Sequence, residues 1–193
     1  MNWENVQRTL HTFANRTSWH ADQNLQKSAI FADTRANFAD MNWKKNKILL
    51  QNGENADAQE PIIVSASRST DIPAFYSDWF IERLKQGYVK WKNPFNGVSL
   101  YVSFKKTRLI VFWSKNPMPM IKHLDYLNDR NINYYFQYTL NDYTKENLEA
   151  KVGSVEKRIE TFIELSEKIG KEKVIWRFDP YILTETTGVE ELL

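Results

Sequence analysis

The feature that most constrains the fold is a series of four short apolar runs that alternate with helical patterns from residue 61 onward. Each run has the length and the nearly continuous apolar character of a strand that is buried on both faces. Strands that alternate with amphipathic helices predict a parallel sheet with right-handed crossovers. The four runs span residues 62–66, 109–113, 132–140 and 174–178.

The segments between these runs predict the helices and one hairpin. Apolar residues at helical spacing predict helices near residues 76–86, 121–127 and 155–169, and Gly87 and Gly170 are suited to end the first and the last of them. Residues 88–104 alternate around an Asn-Gly pair, which is typical of a β-hairpin.

Two α/β architectures fit four strand–helix units of parallel sheet: an open doubly wound sheet and part of a (β/α) barrel. No glycine-rich phosphate loop follows the first run, where residues 67–71 read SRSTD instead. About 130 residues in four units is half of the ~250 residues of a complete barrel. We therefore predict a partial (β/α) barrel, whose open sheet edges would favour self-association.

Residues 1–60 differ in character from the rest of the chain. They are rich in Asn, Asp, Gln and Ala with scattered aromatic residues, and they carry equal numbers of acidic and basic side chains. We predict a mainly helical N-terminal extension that ends in a polar linker, residues 51–60, before a barrel domain at residues 61–193.

Composition excludes several classes of protein. The sequence contains no cysteine, no apolar run of about 18 residues and no pattern typical of a signal peptide, so we expect a cytoplasmic protein without disulfides or membrane spans. Residues 61–140 carry eleven Lys and Arg against five Asp and Glu, a net charge of +6. This charge favours an anionic small molecule as partner. Residues 90–95 alternate lysines with aromatic residues, a pattern that also binds single-stranded nucleic acid, so nucleic acid is kept as a less favoured partner.

Polar and charged residues follow each of the four runs. Ligands of parallel α/β proteins bind beyond the carboxyl ends of the strands, so these residues are expected to converge there. The candidates are Arg68, Thr70 and Asp71 after the first run, Lys115 and Asn116 after the second, Gln137 in the third, and Arg177 and Asp179 after the fourth.

The alternative interpretation of these residues is structural. Asp71 and Ser114 have the residue types that cap helices, and the Arg68–Asp71 and Arg177–Asp179 pairs could be simple ion pairs. The functional interpretation rests on the three cations near the ends of buried strands, because a cation there must be paired or face a ligand cavity.

Four segments of the chain resemble a family of bacterial proteins catalogued as domain of unknown function 1848. The segments are SASRSTDIPAFYSDWF (65–80), NPF (93–95), VFWSKNP (111–117) and VIWRFDPYILT (174–184), and the resemblance covers residues 61–193 in order. Members of this family look like radical S-adenosylmethionine barrel proteins. The resemblance thus implies a 4Fe–4S cluster and S-adenosylmethionine in complete relatives, and a polar site that includes the residues after the first, second and fourth runs.

Two functions follow as expectations. The first is the N-terminal half of a radical enzyme of unknown substrate, in which Arg68, Lys115 and Arg177 bind anionic groups while Asp71 and Asp179 orient them or accept protons. Because the sequence has no cysteine, the cluster ligands of that enzyme would have to lie beyond residue 193, and the residues present support no cofactor and no metal. The second is a cluster-free module that binds phosphate-bearing small molecules or nucleic acid.

Overall fold

A computed structural model of the chain describes residues 45–67, 70–92, 97–149, 152–184 and 187–188. The predicted helices of the N-terminal extension therefore lie outside the described residues. The described part is a mixed α/β structure with two four-stranded sheets and five α-helices. Among these residues no helix is both long enough and apolar enough to cross a membrane.

The first sheet, called the mixed sheet below, contains both antiparallel and parallel pairs. Its strands are β1 (Asn46–Leu49), β2 (Asn55–Gln59), β4 (Tyr88–Lys92) and β5 (Ser99–Ser103), in the order β1-β2-β5-β4. Strands β4 and β5 pair antiparallel and form the hairpin that the Asn-Gly turn predicts. Strand β2 runs parallel to β5 and antiparallel to β1.

The prediction that residues 51–60 form a linker is wrong, because this segment forms a turn and strand β2. Gly53 has a φ of 83°, a left-handed conformation that favours glycine in the turn after β1. On β2 the side chain of Ala58 is only 1% exposed, and it lies opposite Tyr101 of β5. The buried face of β2 is formed by alanines. Because alanine is small and alternates here with polar residues, the strand looks polar in the sequence.

The second sheet, called the parallel sheet below, confirms the four predicted strands. They are β3 (Ile63–Ser65), β6 (Leu109–Ser114), β7 (Asn133–Thr139) and β8 (Val174–Arg177). All three neighbouring pairs are parallel, and the spatial order β3-β6-β7-β8 follows the chain. Because the order never reverses, right-handed crossovers place the connecting helices on one face of this sheet.

The described residues form five α-helices, of which the short first one is not predicted from the sequence and the other four lie in or next to the predicted regions. They are α1 (Ile72–Phe75), α2 (Ser77–Gln86), α3 (Met118–Ile121), α4 (Leu124–Asp129) and α5 (Val155–Ile169). Gly87 ends α2 with a φ of 88°, and Gly170 ends α5 with a φ of 92°. Ser154 begins α5 by accepting the backbone N–H of Lys157 at its hydroxyl, as an N-cap residue does.

Aromatic side chains form the core between the helices and the parallel sheet. The ring of Phe112 on β6 lies 5.7 Å from that of Phe80 on α2 and 4.9 Å from that of Phe136 on β7. Further along β7, Tyr138 packs edge-on against Phe162 of α5 at 5.5 Å. Each of these rings is almost completely buried, and each such burial contributes about 1.5–3 kcal/mol to stability.

The opposite face of the parallel sheet is only partly covered. Trp113, Gln137 and Ile175 lie side by side across β6, β7 and β8 on this face. Trp113 is 40% exposed and Ile175 is 38% exposed, in contrast to the buried rings on the helical face. The carboxyl ends of the three strands therefore border an accessible surface.

Candidate functional site

Asp71 connects the loop after β3 with the loop after β6. Its Oδ1 accepts the backbone N–H of Ala74 at 3.0 Å and so caps α1. Its Oδ2 accepts the hydroxyl of Ser114 at 3.0 Å and the backbone N–H of Lys115 at 2.9 Å. Burial raises the pKa of Asp71, and these hydrogen bonds, which favour the carboxylate, act in the opposite direction.

Lys115 extends from the end of β6 toward the segment that precedes α5. Its Nζ contacts Oε1 of Glu149, and the lysine side chain is 31% exposed while that of Glu149 is 16% exposed. The other carboxylate oxygen of Glu149 lies 3.8 Å from Nη1 of Arg158. Glu149 thus lies between two cations at the edge of the sheet.

Arg158 is a buried cation that holds the loops after β7 in place. It is 5% exposed, although it lies on the first turns of α5. Its Nη2 donates to the backbone oxygen of Asn141 at 2.8 Å, and its Nε donates to that of Gly153 at 3.0 Å. Its own backbone oxygen accepts the hydroxyl of Tyr138 at 2.8 Å. Burial lowers the pKa of Arg158, and the nearby Tyr138 acts in the opposite direction.

Arg177, at the end of β8, lies over an exposed ring. The centre of its guanidinium is 4.8 Å from the ring centroid of Trp113. Its Nη1 donates to Oε1 of Gln137 at 3.1 Å, and its Nη2 donates to Oδ2 of Asp179 at 2.9 Å. A guanidinium has five N–H donors, so within the described residues three donors of Arg177 have no protein acceptor.

The charges of this edge act on one another. Burial and the positive charge of Arg158 lower the pKa of Lys115, whereas Asp179 and Asp71 act in the opposite direction. The contact with Glu149 also favours the charged ammonium. Three cations and three carboxylates lie along this edge, so the cluster is close to neutral as a whole: Lys115, Arg158, Arg177, Asp71, Glu149 and Asp179.

The structure brings most of the predicted residues to the carboxyl edge of the parallel sheet. Lys115, Gln137, Arg177, Asp179 and Asp71 lie there with the contacts given above. Asn116 is exposed in the loop before α3, where its Oδ1 accepts the backbone N–H of Met118 at 3.4 Å. Thr70 is exposed in the bend before α1, and Arg68 lies outside the described residues.

The contacts of Asp71 and of the Arg177–Asp179 pair also agree with the structural interpretation of these residues. All three hydrogen bonds of the Asp71 carboxylate serve to cap a helix or to hold a loop, as the capping interpretation expects. Arg177 and Asp179 form the ion pair that the structural interpretation expects. Arg177 nevertheless keeps free donors at an exposed ring, which an ion pair alone does not require.

Sequence reasoning missed Glu149 and Arg158. Arg158 lies three residues after Val155 and four before Phe162, both of them buried on α5. A charged residue inside that apolar stripe is a signal that could have identified it. Glu149 lies in a polar loop, where nothing in its neighbourhood distinguishes it from a solvated residue. Only the fold brings Glu149 to Lys115.

The residues present do not fit the iron–sulfur cluster that the resemblance implies. Such clusters are held by cysteine thiolates, and the sequence contains no cysteine. Within the described residues no group of three His, Asp or Glu side chains is arranged to hold a metal ion. No chemical step is therefore assigned to a cluster here.

Fold and site together define the class: an α/β protein with a chain-ordered parallel sheet and a cluster of charged side chains at its carboxyl edge. A family model described as a domain of unknown function, DUF1848, matches residues 63–193. The chain belongs to this family, as the four sequence motifs predict. Neither the curated proteins nor the solved structures contain a significant match to the chain.

Proposed function

We propose that this domain is part of a (β/α)-barrel enzyme whose carboxyl edge binds the anionic group of a small substrate or cofactor. The observation that carries the proposal is the placement of Arg177. Its guanidinium is held against the exposed ring of Trp113 and oriented by Gln137 and Asp179. A planar guanidinium with free donors binds a carboxylate or phosphate through two parallel hydrogen bonds.

The arrangement of the parallel sheet supports the barrel part of the proposal. In a (β/α) barrel the strands follow one another in chain order, and the helices cover the outer face alone. The order β3-β6-β7-β8 and the buried aromatic core under the helices have this form. Trp113, Gln137 and Ile175 lie in a row on the face of the parallel sheet that is opposite the helices. In a barrel this row would line the interior near the carboxyl ends of the strands.

The balance of charges favours a small ligand over a polyanion at this edge. Lys115 and Arg158 both have Glu149 beside them, which leaves Arg177 as the accessible guanidinium among the described residues of this edge. One oriented guanidinium recognises a single anionic group through the directions of its hydrogen bonds. Binding of a nucleic acid backbone instead depends on many unpaired cations that release counterions. We therefore assign a single carboxylate or phosphate group to this site.

Binding of small anions to the full chain tests the proposal. The probes are pyruvate and inorganic phosphate, titrated by calorimetry against the wild type and the Arg177→Met variant. Arg130→Met is the matched control, because Arg130 also stacks on an aromatic ring, that of Tyr126, at 5.6 Å and hydrogen bonds to its hydroxyl. We expect saturable binding that Arg177→Met abolishes and Arg130→Met leaves unchanged. Equal binding by all three proteins would contradict the proposal.

The second candidate, a cluster-free module that binds nucleic acid, is favoured by the edge strand β4 of the mixed sheet. Lys90 and Lys92 are exposed on one face of β4 and Trp91 on the other, and Trp91 is the kind of ring on which a base stacks. Titration with a short single-stranded oligonucleotide distinguishes this candidate. Salt-sensitive binding that Trp91→Ala weakens and Arg177→Met does not would support the module instead of the anion site.

A further inference from the structure

Lys115 differs from a surface lysine in both position and surroundings. It follows directly after β6, at the edge where the side chains of parallel α/β enzymes meet their substrates. Its Nζ contacts a carboxylate oxygen of Glu149, and about a third of its side chain remains accessible. An amine in this position can be reached by a small molecule at the same edge.

The charged groups that face Lys115 come from four segments of the chain. Asp71 precedes α1, Glu149 precedes α5, Arg158 lies on α5 and Asp179 follows β8. Burial and Arg158 lower the pKa of Lys115 and so favour the neutral amine, whereas Asp179, Asp71 and the contact with Glu149 favour the ammonium. Glu149 is placed to take the proton that the ammonium releases. The arrangement therefore pairs an amine with its own proton acceptor.

The proposed anion site lies at the same edge of the sheet as this amine, two strands away. Lys115 follows Ser114, which pairs with Tyr138 of β7, and the next residue of β7, Thr139, pairs with Arg177. The carboxylate of Asp179 accepts Nη2 of Arg177 at 2.9 Å, and its charge also favours the ammonium of Lys115. A ligand whose anionic group binds the free donors of Arg177 would hold its neighbouring atoms near the lysine. Holding two reactants together in this way replaces an encounter from solution with a reaction inside one complex.

We propose that Lys115 is a nucleophile that forms an imine with a small carbonyl compound whose carboxylate or phosphate group binds Arg177. The inference rests on the proposed anion site and names its substrate class. Lys115 was identified above only as a binding residue. Imine formation gives the juxtaposition of Lys115 and Glu149 a chemical role that anion binding does not.

The reaction balances without an oxidant or a cofactor. Glu149 accepts a proton from the Lys115 ammonium, and the neutral Nζ attacks the carbonyl carbon. A C–N bond forms while the carbonyl π electrons move to oxygen, and the attacking nitrogen then transfers one of its protons to that oxygen, which gives a neutral carbinolamine. Glu149 then returns its proton to that hydroxyl, which leaves as water as the C=N bond forms.

Reductive trapping of the full chain tests the inference. The protein is treated with glyoxylate and sodium cyanoborohydride, and the modified lysines are identified by peptide mass spectrometry. Lys122 is the internal reference, because it is an exposed lysine that is ion-paired with Asp78 at 2.8 Å. We expect Lys115 to be labelled several-fold faster than Lys122. Labelling of Lys115 that is equal to or slower than that of Lys122 would overturn the inference.

Glu149→Gln distinguishes a catalytic proton carrier from a plain ion-pair partner. If Glu149 only pairs with the ammonium, its loss frees more neutral amine and labelling of Lys115 accelerates. If Glu149 carries the proton in imine formation, labelling slows several-fold, as we expect. Asp78→Asn is the matched control, because it removes the carboxylate beside Lys122 and should leave the rate at Lys115 unchanged. Thermal melts of both variants establish that they are folded.

Acetaldehyde, a carbonyl compound without an anionic group, separates the two proposals. We expect glyoxylate to label Lys115 faster than acetaldehyde does, and Arg177→Met to remove that preference. Pyruvate binding with no selective labelling of Lys115 overturns the imine inference and leaves the anion site standing. Absence of pyruvate binding to the wild type overturns the proposed function itself.

Discussion

The carboxylate of Asp71 accepts the backbone N–H of Lys115 at 2.9 Å, although the two residues lie 44 positions apart in the chain. This hydrogen bond joins the loop after β3 to the loop after β6. It positions the residue that we propose as a nucleophile, and it does so through the backbone. Asp71 therefore acts on the site by holding Lys115 in place.

Asp71→Asn should destabilise the fold by about 1–3 kcal/mol, because the amide that replaces one carboxylate oxygen no longer accepts hydrogen bonds there. Urea denaturation measures the change as a lower midpoint with an unchanged slope. Asp129→Asn, at the exposed last residue of α4, is the control and should leave the midpoint unaltered. An Asp71→Asn midpoint equal to that of the wild type would show that the carboxylate does not hold the two loops.

Arg158→Met should cost about 1–3 kcal/mol, because it leaves two backbone oxygens without their donor and removes one of the two cations beside Glu149. The double variant Arg158→Met/Glu149→Gln should recover part of that loss, since the carboxylate is then absent as well. Denaturant titration of the single and double variants gives the coupling. Lys157→Met, the adjacent exposed position of α5, is the control, and additive losses would argue against a shared ion pair.

Ala58→Leu should destabilise the chain by about 1–3 kcal/mol, because the larger side chain must fit a fully buried position of β2. Asp57→Asn tests the neighbouring position, where an exposed ion pair with Lys47 contributes little. Thermal melts of the two variants provide the comparison. If Ala58→Leu melted at the wild-type temperature, residues 51–60 would have to be interpreted as a linker.

Glu60 should make stability depend on pH under acidic conditions. Its side chain is 7% exposed and is bound by Nζ of Lys106 at 2.7 Å and by Nδ2 of Asn46 at 2.6 Å. The hydrogen bond from Lys106 lowers the pKa of Glu60 below its ordinary value of 4.5, so its stabilisation is present above that value and is lost as the pH falls below it. We expect the wild type to exceed Glu60→Gln in stability near neutral pH, and the difference to shrink on acidification. Glu82→Gln, from an exposed pair with Lys85, is the control and should leave stability near neutral pH unchanged.

Trp113→Leu should weaken pyruvate binding several-fold, because the guanidinium of Arg177 loses the ring against which it lies. Calorimetric titration measures the dissociation constant. Trp79→Leu, which removes another exposed tryptophan on α2, is the matched control and should bind as the wild type does. Unchanged affinity for Trp113→Leu would show that the ring does not orient the guanidinium.

The strands and helices of the parallel sheet were predictable because each is encoded locally. Runs such as 109–113 are so apolar that most of their side chains must be buried, and Gly87 and Gly170 end helices for reasons that lie in their own backbone conformation. Strand β2 was missed for the opposite reason. Ala58 is buried because Tyr101 lies opposite it, and no residue within 51–60 predicts that contact.

The sequence by itself determined which polar residues stand at the ends of the strands, because parallel strands bring their carboxyl ends to one edge whatever the details of packing. Only the tertiary structure decided how those residues pair. It placed Glu149 against Lys115, brought Arg158 from α5 to the loop after β7, and laid Arg177 on Trp113. The physical reason is distance along the chain: partners tens of residues apart meet only when crossovers of particular length and hand have folded.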